Sequence, residues 1–220
     1  MEYLDNYIVK RLDSNYRKEV LNHFIRLDKD SRYTRFCSPF NDFAIEKYVA
    51  QINFEKNGIF GVFDEDLNII GVGECVLYDG KDQAEVGFSV EKNHQGHGLG
   101  SKLMERIVRF AKSMGKHHLE MVCLRTNSKS IHLAKKFGLK VQSSYEDECV
   151  AAIDTKNLNP ALEVFTETVE DSFASYNLRQ RKRMNEWKKS AEVFGEAVDS
   201  VVSGMIKMIT PKMVSEVKND

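Results

Sequence analysis

Apolar and polar positions recur along this chain with two periods, and the switches between them mark its elements. Residues 7–11 (YIVKR) carry a short strand pattern. Asp13 and Ser14 are cap residues for a helix with Val20, Leu21, Phe24 and Ile25 on one side. Residues 28–39 mix charge with Tyr33 and Phe36, with Phe40 just beyond, and predict a packed loop. Asn41 and Asp42 open a second helix through Ile45, Tyr48, Val49 and Ile52.

Three β-rich runs follow, at 58–63, 69–77 and 84–90. Short acidic and glycine turns separate them, which predicts an antiparallel meander. Beyond a glycine-rich loop, residues 101–114 place Leu103, Ile107, Val108 and Ala111 at helical spacing, with Gly115 as a stop. Residues 119–124 read as a strand, 128–137 as a helix ended by Gly138, and 141–145 with 149–153 as a final strand pair. A boundary falls near Asp154, giving a first domain of residues 1–155 and a helical extension of residues 156–220. Asn159-Pro160 is a helix start. Apolar residues then recur from Phe165 through Trp187, Phe194 and Val201 to Ile206, with candidate breaks at Tyr176-Asn177 and Gly195.

Composition narrows the function classes. The 32 basic and 33 acidic residues leave a formal net charge of -1, which gives no electrostatic case for nucleic acid as a partner. No apolar run approaches the length of a membrane span, and the first residues carry no signal-peptide pattern. Cys37, Cys75, Cys123 and Cys149 are scattered without C-x-x-C pairs. That spacing predicts no metal site, and reduced thiols in a cytoplasmic protein.

The chemistry concentrates in residues 94–101, HQGHGLGS, between a strand and a helix. Closely spaced glycines let backbone N–H groups converge, and the helix adds its positive end, so the loop suits a pyrophosphate. It is not a P-loop, and its G-x-G-x-G spacing differs from the dinucleotide fingerprint.

Gln95, Gly98 and Gly100 fit Q/R-x-x-G-x-G/A, and the hexamer resembles the acetyl-CoA pyrophosphate loop of the GNAT N-acetyltransferase superfamily. Upstream, residues 84–90 (AEVGFSV) resemble that family's fourth strand. Downstream, residues 127–139 (NSKSIHLAKKFGL) resemble its N-x-x-[AS]-x-x-L helix. Residues 26–36 (RLDKDSRYTRF) are similar to a segment of the catalytic domains of bacterial protein-lysine acetyltransferases. The resemblance spans the first domain and leaves the extension out.

The resemblance implies an α/β GNAT fold: a mixed, mostly antiparallel sheet with flanking helices. It implies acetyl-CoA as co-substrate, no metal, and an amine acceptor, either a protein lysine or a small molecule. Carried over by position, Glu85 is the general base. Phe88, Ser89 and Val90 line the pantetheine, Gln95, Gly96, His97, Gly98, Leu99, Gly100 and Ser101 hold the pyrophosphate, and Asn127 and Ser130 flank the cofactor. Many relatives place a tyrosine acid where this chain has Ala134, so Tyr145 is the substitute candidate. Two further readings stay open: a small-molecule amine acetyltransferase, and a catalytically weak acetyl-CoA-binding or assembly module. The aromatic stripe of the extension predicts self-association into a homo-oligomer through the C-terminal helices.

Overall fold

The computed structural model describes residues 7–143, 148–154 and 167–216. Strands β1 (Ile8–Arg11), β2 (Gly58–Phe63), β3 (Ile69–Leu77) and β4 (Gln83–Val90) form the antiparallel half of one sheet. Strands β5 (His118–Leu124), β6 (Lys140–Ser143) and β7 (Glu148–Asp154) complete it in the order β1-β2-β3-β4-β5-β7-β6. The β4–β5 junction is parallel, and the other pairings are antiparallel.

Helices α1 (Arg17–Arg26), α2 (Lys29–Phe36) and α3 (Asp42–Gln51) precede β2. Helix α4 (Leu99–Ser113) joins β4 to β5, and α5 (Ser128–Lys136) joins β5 to β6. The two apolar clusters follow from this arrangement. One gathers Phe60, Val86, Leu103, Ile107 and Phe110 beneath α4. The other gathers Val20, Phe24, Ile45, Val49 and Val72 beneath α1 and α3. Burying each such side chain contributes about 1.5–3 kcal/mol, so the fully buried Phe24, Phe60 and Phe110 weigh heavily.

The segment predicted as a packed loop is helix α2. Its stability comes from polar groups, which an apolar-periodicity reading does not register. Asp28 caps it by accepting from the N–H groups of Asp30 and Ser31, both at 3.1 Å. Arg32 then ties it back through Nε to the Leu27 carbonyl at 3.0 Å.

The C-terminal helix α6 (Glu167–Glu216) is continuous through Tyr176-Asn177 and Gly195, the two candidate breaks. The helix start expected at Asn159-Pro160 lies outside the described residues. The chain divides into two compact units, residues 1–178 and 179–220. The first unit therefore extends past Asp154 and holds the opening turns of α6. Ala174 and Leu178 are buried in the α1–α3 cluster. Arg106, 6% exposed on α4, pairs with Asp171 and Glu170, and Arg109 pairs with Glu170. Asp171 also accepts from the Arg11 N–H at 2.9 Å, which satisfies a donor on the edge strand β1.

Candidate active site

The sheet opens in its middle. β4 and β5 pair only from Gln83–His118 to Glu85–Glu120, although β4 continues to Val90 and β5 to Leu124. The direction of the β4 backbone follows from its neighbours. Gln83 accepts from Tyr78 on the β3 side, and Glu91 donates to Ile70 on that same side. Asp82 accepts from His118 on the β5 side. Strand alternation then turns the backbone groups of Val86, Phe88 and Val90 into the opening. The Val90 carbonyl is taken by Gln95, whose Nε2 donates to it at 3.0 Å.

The glycine loop closes one end of this notch. Gly96 (φ 85°) and Gly98 (φ 78°) hold left-handed conformations that a side chain would strain. Gly98 is also the N-cap of α4 and offers no capping side chain, so the first N–H groups of that helix are left for a ligand. A Cβ on Gly100 would stand 3.3 Å from the Leu133 side chain, a tight contact.

Between the loop, the notch and helices α2 and α5 lies a cavity of about 420 Å³. Phe88, Ser89, Val90, Gln95, Gly96, Gly98, Leu99, Gly100, Asn127 and Ser130 line it, whereas His97 and Ser101 are outside its lining. Ser101 instead accepts from Lys136 at 3.2 Å. Asn127 also caps α5, accepting from the Ser130 N–H at 3.1 Å. Lys92 and Lys129 bring positive charge to the wall, and Lys129 donates to the Gln95 side chain at 2.9 Å. A glycine cradle with two lysines fits a pyrophosphate. Helix α2 supplies the remaining wall through Asp28, Ser31, Thr34 and Arg35. Sequence periodicity missed these residues; their signal was the R-Y-x-R-F resemblance.

Beneath the notch, Arg35 forms an ion pair with Glu74, which is 2% exposed, and Tyr48 donates to the same carboxylate. The guanidinium lies against Gly87, where a Cβ would come within 2.9 Å of it. Burial pushes the Tyr48 hydroxyl well above its ordinary pKa. Glu85 is exposed on this same face, and the Tyr78 hydroxyl donates to it at 2.6 Å. That hydrogen bond, with a smaller contribution from burial, raises the Tyr78 pKa to about 12. The cavity's lining on β4 begins at Phe88, three residues past Glu85.

Tyr145 lies outside the described residues. Ala134 is fully buried in α5. Cys123 and Cys149 face each other across β5 and β7 with sulfurs 3.2 Å apart, both as free thiols. Burial and the Cys149 contact hold Cys123 up at about 12, which keeps it a protonated thiol and a poor nucleophile. Among the described residues no cluster of three or more metal-ligating side chains occurs, and no helix is long and apolar enough to cross a membrane.

Residues 24–139 match the model of the acetyltransferase (GNAT) family, more than half of the chain. The chain belongs to the GNAT family and is an acyltransferase. Solved structures share its fold. The GNAT domain of a Streptomyces lividans protein described as PAT aligns at 20% identity and a TM-score of 0.58, over 66% of this chain and 89% of that one. Spermidine N-acetyltransferase from Vibrio cholerae, solved with CoA and spermine, aligns at 19% and 0.56, over 69% and 97%. Ribosomal-protein-S5-alanine acetyltransferase from Vibrio fischeri aligns at 17% and 0.53, over 70% and 96%.

Proposed function

We propose that this chain transfers the acetyl group of acetyl-CoA to a primary amine, with a protein lysine as the favoured acceptor. The observation that carries this reading is the place where the sheet opens. The notch begins at Glu85, and its other end is the glycine cradle. A CoA molecule with its pyrophosphate on the N–H groups of Gly96, Gly98, Leu99 and Gly100 directs its pantetheine along residues 88–90 toward that carboxylate. A free lysine ammonium has a pKa of about 10.4 and cannot attack until it loses a proton. Glu85, directly or through one water, takes that proton. A β4 N–H near Val90 polarises the thioester carbonyl and stabilises the oxyanion. The neutral amine attacks, the tetrahedral intermediate collapses, and CoA leaves without a covalent enzyme intermediate.

Calorimetry with acetyl-CoA tests the reading. The wild type binds, and Gly98→Glu, which puts bulk and negative charge on the cradle at a left-handed position, does not. Absence of binding by the wild type removes the proposal. CoA release in the presence of lysine peptides or of polyamines then decides the acceptor, and turnover of polyamines alone moves the assignment to small amines. Binding without turnover on either leaves a CoA-binding module. The four free cysteines fit a cytoplasmic setting. The second unit contributes self-association, through the exposed Trp187, Phe194 and Val201.

A further inference from the structure

Helix α1 carries His23 on its apolar side, between Val20 and Leu27, and the ring is fully buried. A buried imidazole needs partners for both nitrogens. Its Nε2 lies 2.8 Å from the Ser89 hydroxyl, and its Nδ1 lies 3.2 Å from Glu91 Oε1. Glu91 is fixed in turn by Arg26, whose Nε and Nη2 donate to it at 3.0 and 2.8 Å. The same Arg26 Nη2 holds the Ile69 carbonyl at 2.6 Å. Ser89 lines the acetyl-CoA cavity, between Phe88 and Val90.

The protonation pattern follows from these contacts. Burial raises the Glu91 pKa, but hydrogen bonds from His23 and Arg26 outweigh it, so the group sits below its ordinary value and is ionised. An ionised carboxylate only accepts, so His23 carries its hydrogen on Nδ1. Burial pushes the imidazole pKa down, against the pull of Glu91 and with the help of Arg26 and Arg35. The ring is therefore neutral, its Nε2 is bare, and the Ser89 hydroxyl donates to it. Hydroxyl, imidazole and carboxylate stand in the order that lets a hydroxyl give up and regain a proton.

We propose that Ser89, His23 and Glu91 form a proton relay from the attacking amine to the sulfur of the departing CoA. The inference rests on the acetyl-transfer reading above and fills the acid role that Ala134 leaves vacant. After attack, the nitrogen of the tetrahedral intermediate carries one proton too many. Ser89 Oγ takes it while passing its own hydrogen to His23 Nε2, and Glu91 steadies the imidazolium. The carbon–sulfur bond then breaks, its electron pair stays on sulfur, and His23 returns the proton through Ser89 to the thiolate. Nitrogen loses one proton, sulfur gains one, and the three residues end as they began. Glu85 has the separate task of neutralising the incoming ammonium.

Two measurements test the relay. First, ¹⁵N spectra of histidine-labelled free protein, with His23 assigned by the signal lost in His23→Asn, show hydrogen on Nδ1 and none on Nε2. The opposite tautomer overturns the relay. Second, Ser89→Ala is assayed with acetyl-CoA and with acetyl-selenocoenzyme A, whose selenolate leaves without a proton. With acetyl-CoA, kcat falls about 100-fold at saturating donor, and calorimetry sets the donor concentration at which saturation is reached. With the selenium donor the loss shrinks to a few-fold. The ratio between donors within one variant cancels any loss of folded protein. An equal loss with both donors, or no loss with either, overturns the relay. A wild type that does not bind acetyl-CoA overturns the acetyl-transfer reading and the relay together. A wild type that turns over while Ser89→Ala is unimpaired overturns the relay alone.

Discussion

Glu85 and Glu120 are the last pair of residues held in register where β4 and β5 run parallel. Two carboxylate-bearing residues thus stand side by side where the sheet divides. β4 goes on to the glycine cradle, and β5 stays paired with β7 along its whole length. A cationic amine approaching this point meets negative charge, and beyond it the backbone groups of Val86, Phe88 and Val90 face the opening.

Glu85→Gln keeps the shape of the side chain and removes the base. Turnover at neutral pH is expected to fall about 100-fold, the ordinary contribution of a positioned general base. Acetyl-CoA affinity is expected to hold, because the cavity lining on β4 starts at Phe88. Steady-state kinetics beside calorimetry checks both, and unchanged turnover takes the base role from Glu85.

Tyr78 reports on the same carboxylate. Its hydroxyl donates to Glu85, and the phenol is held at about 12 rather than its ordinary 10. A raised phenol pKa means that the unfolded chain ionises first. The contribution to stability is complete below about pH 10 and disappears between about 10 and 12. Ultraviolet titration of wild type and Glu85→Gln separates the effect. Tyr48 titrates late in both proteins because of its burial, so the wild type shows one more late-titrating tyrosine than the variant, in which Tyr78 returns toward its ordinary range. Identical curves contradict the contact.

The meander, α4 and the glycine loop were legible in the sequence because each follows from local rules: strand alternation, helical spacing and left-handed glycines. Three features were not. Helix α2 is set by an Asp28 cap and arginine contacts, so its apolar pattern is weak. The His23–Glu91 contact joins residues 68 positions apart, and His23 hides within an apolar helix stripe. The opening of the sheet between the fourth and fifth strands is implied by the family resemblance and not by local rules, because it depends on where the β4–β5 ladder stops, and neither strand's own composition marks that point.

The Arg35–Glu74 pair is the buried charge most exposed to mutation. Glu74 is 2% exposed and the Arg35 side chain 10% exposed, so neither has water to fall back on. Glu74→Gln strands the guanidinium and is expected to cost about 3–5 kcal/mol. Urea denaturation measures this as a lower midpoint at an unchanged slope. Because Arg35 lines the cavity, acetyl-CoA affinity is expected to drop as well. A loss below about 1 kcal/mol places the pair among weak surface bridges instead.

Where the catalytic unit ends is also testable. Chain ending at Leu178 retains Glu170 and Asp171 and keeps Ala174 and Leu178 in the core. Chain ending at Asp154 leaves Arg106 buried without its carboxylates and leaves that part of the core open. Calorimetric melting is expected to place the first near the full chain and the second lower by roughly 5 °C or more. Equal melting of both truncations denies the opening of α6 a structural role.

Trp187, Ala191, Phe194, Val198 and Val201 follow one another at alternating spacings of four and three, the seam of a two-stranded coil. Trp187 is 67% and Phe194 72% exposed in the single chain. A long helix with such a row left in water gains little from its own hydrogen bonds and much from burying the row. Association of two chains along this seam is therefore expected, and sedimentation equilibrium should give a mass above the 25.3 kDa of one chain. Phe194→Asp puts a charge in the middle of the seam and should restore the single-chain mass, with melting of the first unit unchanged. A wild type that sediments at 25.3 kDa at high micromolar concentration rejects the seam as a self-association surface.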